Sequence, residues 1–318
     1  MNKRCLCCNK IVKDEKELIN GWHKSCIKNF FNSSTFPTLD LDEKILEELV
    51  NNSINKGFLV PGVQKKLSLS LDNNRNKKGL TAHNFYNSYI LKPQTEEYKL
   101  LPENEFLIMH IAKISNIKVV PFGLIYIKNT SNYVYITKRI DRIKDTKLGM
   151  EDFAQLDKRI TSDKYKGSYE RCANFIKKYS SHSGLDISEL FIRIVFSFIV
   201  GNSDLHLKNL SLIETSFNSN EYILSNSYDM LSTKIVLSND NEELALPLNG
   251  KKTNLHYNDF LKFGLSIGLN ESSIKKMINS LVILEDKYIE LINDSYLDDD
   301  LKNKLSNLVK NNISILRK

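Results

Sequence analysis

The segment Gly201-Asn202-Ser203-Asp204-Leu205-His206-Leu207-Lys208-Asn209 sets an aspartate five positions ahead of an asparagine. That is the spacing of a protein-kinase catalytic loop. One carboxylate must accept or orient the proton of an attacking hydroxyl. One amide oxygen must hold Mg²⁺ nearby, and the turn must present both side chains to one side of a cleft. Asp and Asn also favour turns for local reasons, so the pair alone arises often by chance. Asp229, in Ser227-Tyr228-Asp229-Met230, adds a second carboxylate after an intervening hairpin. Mg²⁺ takes oxygen ligands and shares them between carboxylates and phosphates. The plainer alternative for Asp229 is an N-cap of a following helix.

Upstream, Tyr89-Ile90-Leu91-Lys92 ends an apolar strand on a cation suited to the α- and β-phosphates of a nucleotide. Glu105 on the next helix either pairs with Lys92 and holds it, or is an ordinary surface glutamate. Val60-Pro61-Gly62-Val63-Gln64-Lys65-Lys66 offers backbone N–H groups and cations that could cover phosphates. It has one glycine where eukaryotic kinase loops have several, and a simple Pro-Gly turn is the alternative. The matches are individually weak. Their order of loop, strand lysine, helix glutamate, Asp-x-x-x-x-Asn and metal aspartate is that of a kinase.

These residues need elements to position them. Asp40 or Asp42 caps a helix carrying Ile45, Leu46, Leu49, Val50 and Ile54, ended by Gly57. Leu67-Ser68-Leu69-Ser70-Leu71 alternates as a strand, 72–78 is a polar turn, and 87–92 is another strand. Pro102 opens a helix through Ile114, and strands follow near 118–127 and 133–138. Beyond Asp141 the pattern is mostly helical. Asp186-Ile187-Ser188-Glu189 has capping-box spacing and opens a helix stopped by Gly201. A hairpin spans 210–223. Asp298-Asp299-Asp300 begins the last of two amphipathic tail helices. The expected division is a Cys-rich head over 1–38, a small lobe over 39–141 and a helical lobe over 142–318.

The chain of 318 residues is 41% apolar and has no apolar run able to span a bilayer, so no membrane partner is expected. No secretory segment is apparent, and a cytoplasmic location is expected, with a secreted effector as the alternative. Net charge is +7, and residues 1–28 carry an excess of four positive charges, consistent with acidic partners or with a solvated lysine-rich surface. Four of the five cysteines precede residue 27. Cys5-x-x-Cys8 and His23-x-x-Cys26 have the paired spacing of a structural Zn²⁺ knuckle, although Cys7 leaves the ligand set ambiguous. A small Cys-lined core around Trp22 is the competing reading. Cys172 reads as a buried or inert thiol, His110 as a core or edge histidine, and Arg139, Asp141 and Arg142 as ion pairs at a strand end.

Several blocks together resemble the signatures of HipA-type kinases. They are Pro61 through Leu69, Tyr89-Ile90-Leu91-Lys92-Pro93, Asn104-Glu105, Thr137-Lys138-Arg139-Ile140-Asp141-Arg142, Met150-Glu151-Asp152, Gly201 through Asn209, and Tyr228-Asp229-Met230-Leu231-Ser232. The resemblance implies an α+β, two-lobed protein-kinase-like fold, with a small mixed α/β N-lobe and a mainly helical C-lobe. It implies Ser/Thr protein kinase activity with ATP and Mg²⁺. Asp204 is then the catalytic aspartate, Asn209 and Asp229 hold Mg²⁺, and Lys92 binds phosphate. Pro61, Gly62, Val63, Gln64, Lys65 and Lys66 form the nucleotide loop. The backbone of Lys138, Arg139 and Ile140 holds adenine, and His206 and Tyr228 line the same site.

Known HipA-type toxins act on aminoacyl-tRNA synthetases and stall translation. They are paired with a DNA-binding antitoxin, HipB, so DNA is expected as an indirect partner only. The chain is shorter than full-length HipA and closer in layout to short HipT-like forms, where a separate small protein, HipS, supplies the N-terminal part. In relatives a serine just before the loop glycine can be autophosphorylated. Here Phe58-Leu59-Val60-Pro61 offers no hydroxyl, and Ser53, Ser68 and Ser70 are the nearest substitutes. The competing functions are a non-catalytic kinase-like regulator that binds antitoxin and DNA, and a small-molecule kinase with a deep pocket.

Overall fold

The computed structural model describes residues 4–37, 66–72, 79–81, 88–127, 132–143, 146–237 and 241–317. Two compact units divide the chain: Met1–Phe106 with Val120–Asp145, and Leu107–Val119 with Thr146–Lys318. The Cys-rich segment belongs to the first. The helix expected after Asp40 or Asp42, the phosphate loop at 61–65 and most of the polar turn at 72–78 lie outside the described residues.

The first unit opens with a short antiparallel hairpin, β1 (Leu18–Ile19) and β2 (Trp22–His23), in which Ile19 faces Trp22. Asn20 and Gly21 make its turn at φ 49° and 80°. A two-residue hairpin needs positive φ at both positions, which Asn-Gly supplies at low cost. Helix α1 (Lys24–Phe31) follows and ends on Asn32 in the left-handed region. Trp22 is fully buried, with Phe30, Phe31 and Phe36 at ring distances of 5.1, 5.5 and 5.7 Å.

Strands β3 (Leu67–Asp72), β4 (Gly79–Thr81), β5 (Tyr89–Lys92), β6 (Phe122–Tyr126) and β7 (Tyr133–Lys138) form an antiparallel sheet in the order β4-β3-β5-β7-β6. Leu67 and Leu69 are buried and Ser68 is half-exposed, but Ser70 is also buried and Leu71 half-exposed, so the alternation expected over 67–71 holds only through Leu69. β5 is central, and its register sets Lys92 opposite Tyr135. Helix α2 (Leu101–Ile114) carries Pro102 in its first turn. Every residue from 101 to 112 is buried, including Glu103, Asn104, Glu105 and His110. A helix apolar on all sides is a buried helix, and the polar residues within it must be answered by partners.

The second unit is mostly helical. Strand β8 (Met150–Asp152) pairs with β9 (Ser211–Glu214), and β9 with β10 (Tyr222–Leu224). The helices are α3 (Phe153–Leu156), α4 (Tyr169–Tyr179), α5 (Ser183–Val200), α6 (Tyr257–Ser266), α7 (Glu271–Val282), α8 (Glu285–Asn293) and α9 (Asp299–Leu316). Helix α5 is the core element, with Phe191, Ile194, Val195, Phe198 and Ile199 all buried. The capping box expected at Asp186 is not there. The helix begins one turn earlier, at Ser183, so Asp186 lies inside it. Its Oδ2 instead accepts hydrogen bonds from Ser180 Oγ at 2.6 Å and Leu224 N–H at 2.7 Å. Asp298 does cap α9, accepting from Leu301 N–H at 2.9 Å. No described helix is long and apolar enough to cross a membrane.

Glu103 is 4% exposed, its Oε2 finds no hydrogen-bond partner among the described residues, and burial pushes its carboxyl up to about 7. The folded state therefore holds this proton when the unfolded chain, near 4.5, has lost it. Stability should fall as pH rises from about 4.5 to about 7 and stay lowered above that. Glu103→Gln is expected to remove this part of the slope and to stabilise the protein by roughly 3 kcal/mol at about pH 8. Chemical denaturation of both proteins across that range measures it.

Candidate active site

Helix α5 delivers the Asp-x-x-x-x-Asn segment. Gly201 ends the helix at φ 66°, and a Cβ there would fall 2.4 Å from Leu308 Cδ2. Only glycine fits both the left-handed turn and the close neighbour. Past it the loop is held by its own polar groups. Asn202 Oδ1 accepts from Asp204 N–H at 3.0 Å. The N–H and Oγ of Ser203 meet Thr233 Oγ1 at 2.8 and 2.7 Å, and that hydroxyl donates to Gly201 O at 3.1 Å. Asn209 Nδ2 donates to Asp204 O at 2.8 Å. This bond turns the Asn209 amide nitrogen toward the loop and its oxygen away.

Asp204 is half-exposed, and Tyr165 Oη donates to its Oδ1 at 2.5 Å. His206 is 4% exposed, with Nε2 3.6 Å from the same oxygen. Burial holds the imidazole below its ordinary value, and the Asp204 charge opposes that only in part. Asp229 is also in the left-handed region, at φ 59°. Among the described residues no helix begins between it and Tyr257, so it is not an N-cap. The chain leading to it is anchored by Ser227 N–H donating to Lys118 O at 2.7 Å. Tyr228 accepts from Ser211 Oγ at 2.5 Å and donates to Lys208 O at 3.1 Å, which binds β9 to the loop. Burial raises its phenol. Lys208 Nζ is held 2.6 Å from Asp152 Oδ2.

In the first unit, Lys92 Nζ lies 2.6 Å from Glu105 Oε1, with side chains 4% and 2% exposed. Of the two readings of Glu105, pairing is the one observed. The Lys92 amine also sits 5.3 Å from the centroid of the Tyr135 ring across the β5–β7 register. Lys138 N–H donates to Pro121 O at 2.9 Å and Arg139 N–H to Ser88 O at 2.8 Å. Both donors of that segment are thus committed within the unit. Arg139 forks onto Asp141 at 3.0 and 2.8 Å, and Arg142 reaches the same carboxylate. Burial disfavours ionisation of Asp141, but the two guanidiniums outweigh it and hold the carboxyl below its usual value. Lys66 is half-buried; Pro61, Gly62, Val63, Gln64 and Lys65 lie outside the described residues.

The first unit also gathers Cys5, Cys8, His23 and Cys26, whose ligand atoms all lie within 4.8 Å of one another. Cys7 neighbours Cys26 but is not one of these four mutually close groups, and its Sγ lies 3.8 Å from Phe122 O. Cys172 is fully buried, and burial pushes its thiol up. Tyr165 was not legible as a site residue, since nothing in its local sequence marks it. The Ser203–Thr233 and Asp152–Lys208 pairs bridge 30 and 56 positions. No periodicity reports such pairings.

The family model described as "HipA-like C-terminal domain" matches residues 58–286. A Haemophilus influenzae protein named "Putative kinase" is 31% identical over 76% of this chain and 77% of its own length. A Sinorhizobium fredii protein named "Putative kinase Y4dM" is 33% identical over 60% of this chain, which spans 48% of that relative. Among solved structures, a Shewanella oneidensis complex of HipA, HipB and operator DNA aligns with a TM-score of 0.65, 18% identity, 85% of this chain and 70% of the other. The Helicobacter pylori proinflammatory kinase CtkA aligns with a TM-score of 0.53, 19% identity, 77% of this chain and 92% of the other. These two structures establish the fold as α+β and kinase-like.

Removing one partner of a buried ion pair strands the other charge. Glu105→Ala is expected to lower stability by about 3 kcal/mol or more. A denaturant midpoint shift at unchanged slope would register it.

Proposed function

We propose, for a chain that belongs to the HipA-like C-terminal domain family, that it is an ATP-dependent Ser/Thr protein kinase. The observation that carries this reading is the Asp204–Asn209 loop, closed on itself by the Asn209-to-Asp204 hydrogen bond at the end of a buried helix. Asp204 accepts or orients the proton of the attacking hydroxyl. Tyr165 steadies its carboxylate by hydrogen bonding to Oδ1. His206, kept neutral by burial, lines the same loop without adding a second charge.

The donor set fits Mg²⁺. Asn209 offers an amide oxygen and Asp229 a carboxylate, both hard oxygen ligands of the kind Mg²⁺ shares with phosphates. The ion would neutralise phosphate charge as it builds during transfer. Lys92, held by Glu105, does the same for the α- and β-phosphates. Pro61, Gly62, Val63, Gln64, Lys65 and Lys66 cover the phosphates. Ile140 and the carbonyls of Lys138 and Arg139 hold adenine, because the Lys138 and Arg139 N–H groups are already bonded. Tyr228 keeps the loop against β9.

The biological role proposed is that of a toxin in a toxin–antitoxin system, acting in the cytoplasm on a protein such as an aminoacyl-tRNA synthetase. Its partners would be a HipB-like antitoxin, through which DNA is reached, and a HipS-like small protein. The support is the likeness to the HipA of a HipA–HipB–operator complex.

The test is transfer of radiolabel from ATP with Mg²⁺ to proteins of a bacterial lysate, wild type beside Asp204→Ala. A labelled serine or threonine product, reduced at least ~100-fold in the variant, is expected. Nucleotide binding with no transfer, or with equal transfer by the variant, would overturn the kinase reading in favour of a regulator. A labelled small molecule would replace the protein substrate.

A further inference from the structure

The Cys5, Cys8, His23 and Cys26 cluster has the dimensions of a tetrahedral metal site. Cys5 Sγ and Cys26 Sγ are 3.8 Å apart, and Cys8 Sγ is 3.4 Å from His23 Nδ1. Around one Zn²⁺, with Zn–S near 2.3 Å and Zn–N near 2.0–2.1 Å, tetrahedral geometry sets S···S at about 3.8 Å and S···N at about 3.5 Å. A disulfide would need sulfurs about 2.05 Å apart, and all five cysteines are free.

Local structure explains why these four converge. The 5–8 segment turns back on itself, with Asn9 N–H donating to Cys5 O and Cys5 N–H to Lys10 O, at 2.9 and 3.0 Å. The Asn20-Gly21 turn brings β2 back beside it. His23 ends β2, and Cys26 lies in the first turn of α1. His23 N–H donates to Cys5 Sγ at 3.4 Å, the kind of outer bond that steadies a thiolate ligand. Cys7, the residue that made the ligand set ambiguous, points instead at Phe122 O.

What the knuckle touches gives the cluster a purpose. β6 is an edge of the five-stranded sheet. Leu124 in β6 donates its N–H to Leu6 O at 2.7 Å and accepts at its carbonyl from Trp22 Nε1 at 2.8 Å. A Cβ on Gly123 would fall 2.4 Å from Trp22 Cζ2, so this strand carries glycine where the indole lies on it. An open sheet edge exposes unpaired backbone groups. Here Leu6, inside the Cys5–Cys8 loop, and Trp22, beside His23, take up those of Leu124.

We propose that Cys5, Cys8, His23 and Cys26 bind one structural Zn²⁺, and that the metal-bound knuckle is the clamp closing the β6 edge of the sheet that carries Lys92. Four protein ligands leave no open position, so the site has no direct part in catalysis. The inference stands apart from the kinase reading, and neither depends on the other.

The experiment uses the full chain, stripped of metal by a chelator and titrated with Zn²⁺ and, separately, with Co²⁺ as a spectroscopic probe. One equivalent is expected to bind, and the Co²⁺ form should show the visible absorption of a tetrahedral, thiolate-rich site. Cys26→Ser and His23→Ala should lose or greatly weaken that signature, and Cys7→Ser should keep it. Trp22 is the sole tryptophan, so its fluorescence reports the clamp directly. Stripping the metal should shift its emission to the red, and adding Zn²⁺ should restore it. No stoichiometric binding by wild type, or a Cys7→Ser variant as impaired as Cys26→Ser, would overturn the site. Binding with unchanged Trp22 emission would overturn the clamp. The wild-type metal titration and the Trp22 emission need no variant, and none of these readouts needs kinase activity.

Discussion

Lys92 ends the central strand of its sheet at 3% exposure, and a buried ammonium persists only where a counter-charge answers it. Glu105, 2.6 Å away on α2, is that answer. The pair ties the end of β5 to the opening turns of α2, so the start of that helix is constrained closely. Gln94 does part of this work: its Oε1 accepts from Leu101 N–H at 3.1 Å and marks where the helix begins. Two positions before Glu105, Glu103 is also buried, its Oε2 finds no hydrogen-bond partner among the described residues, and its carboxyl is driven up instead. Two carboxyls on one turn thus meet opposite surroundings, one paired with a cation and one pushed up by burial.

The second unit solves a parallel problem with α5. The helix is apolar enough to be the core, yet it contains Asp186 and Arg193. Both reach to the chain around β10. Asp186 accepts from Leu224 N–H, and Arg193 donates to Ser225 O at 2.8 Å while pairing with Glu189. The strand so gripped runs on to Ser227 and Asp229. The opposite end of the same helix, at Gly201, launches the loop with Asp204 and Asn209. One buried helix therefore bears on the position of both carboxylates proposed for the reaction. Burying two charged side chains is costly, and here each is matched by hydrogen bonds to the chain around β10.

The hairpin and α1 bring a third device. Their residues give the first unit a compact aromatic centre at Trp22 and cover the backbone of Leu124. A small antiparallel sheet has few strands and two edges, so what covers an edge matters to its stability as much as its face does.

Much of this was legible from residue order. Alternation in Leu67-Ser68-Leu69, the helical period of α5, Gly201 as its stop and Asp298 as a cap are local patterns, and local sterics enforce them. The motif order and the HipA-like resemblance pointed to the kinase-like fold, which the comparisons bear out. The start of α5 was misplaced by a turn because capping-box spacing also occurs inside helices, and only strand β10 shows what Asp186 is for. Spacing left Cys7 and Cys8 as rival ligands; distance separates them, because one faces His23 and the other a sheet carbonyl. Tyr165 meets Asp204 across 39 positions, and Glu105 meets Lys92 across 13. Sequence by itself determined what each segment could form, since propensity and turn chemistry act over a few residues. Which distant side chains meet, and in what charge state, was decided by tertiary packing alone, because burial and its counter-charges exist only once the chain has folded.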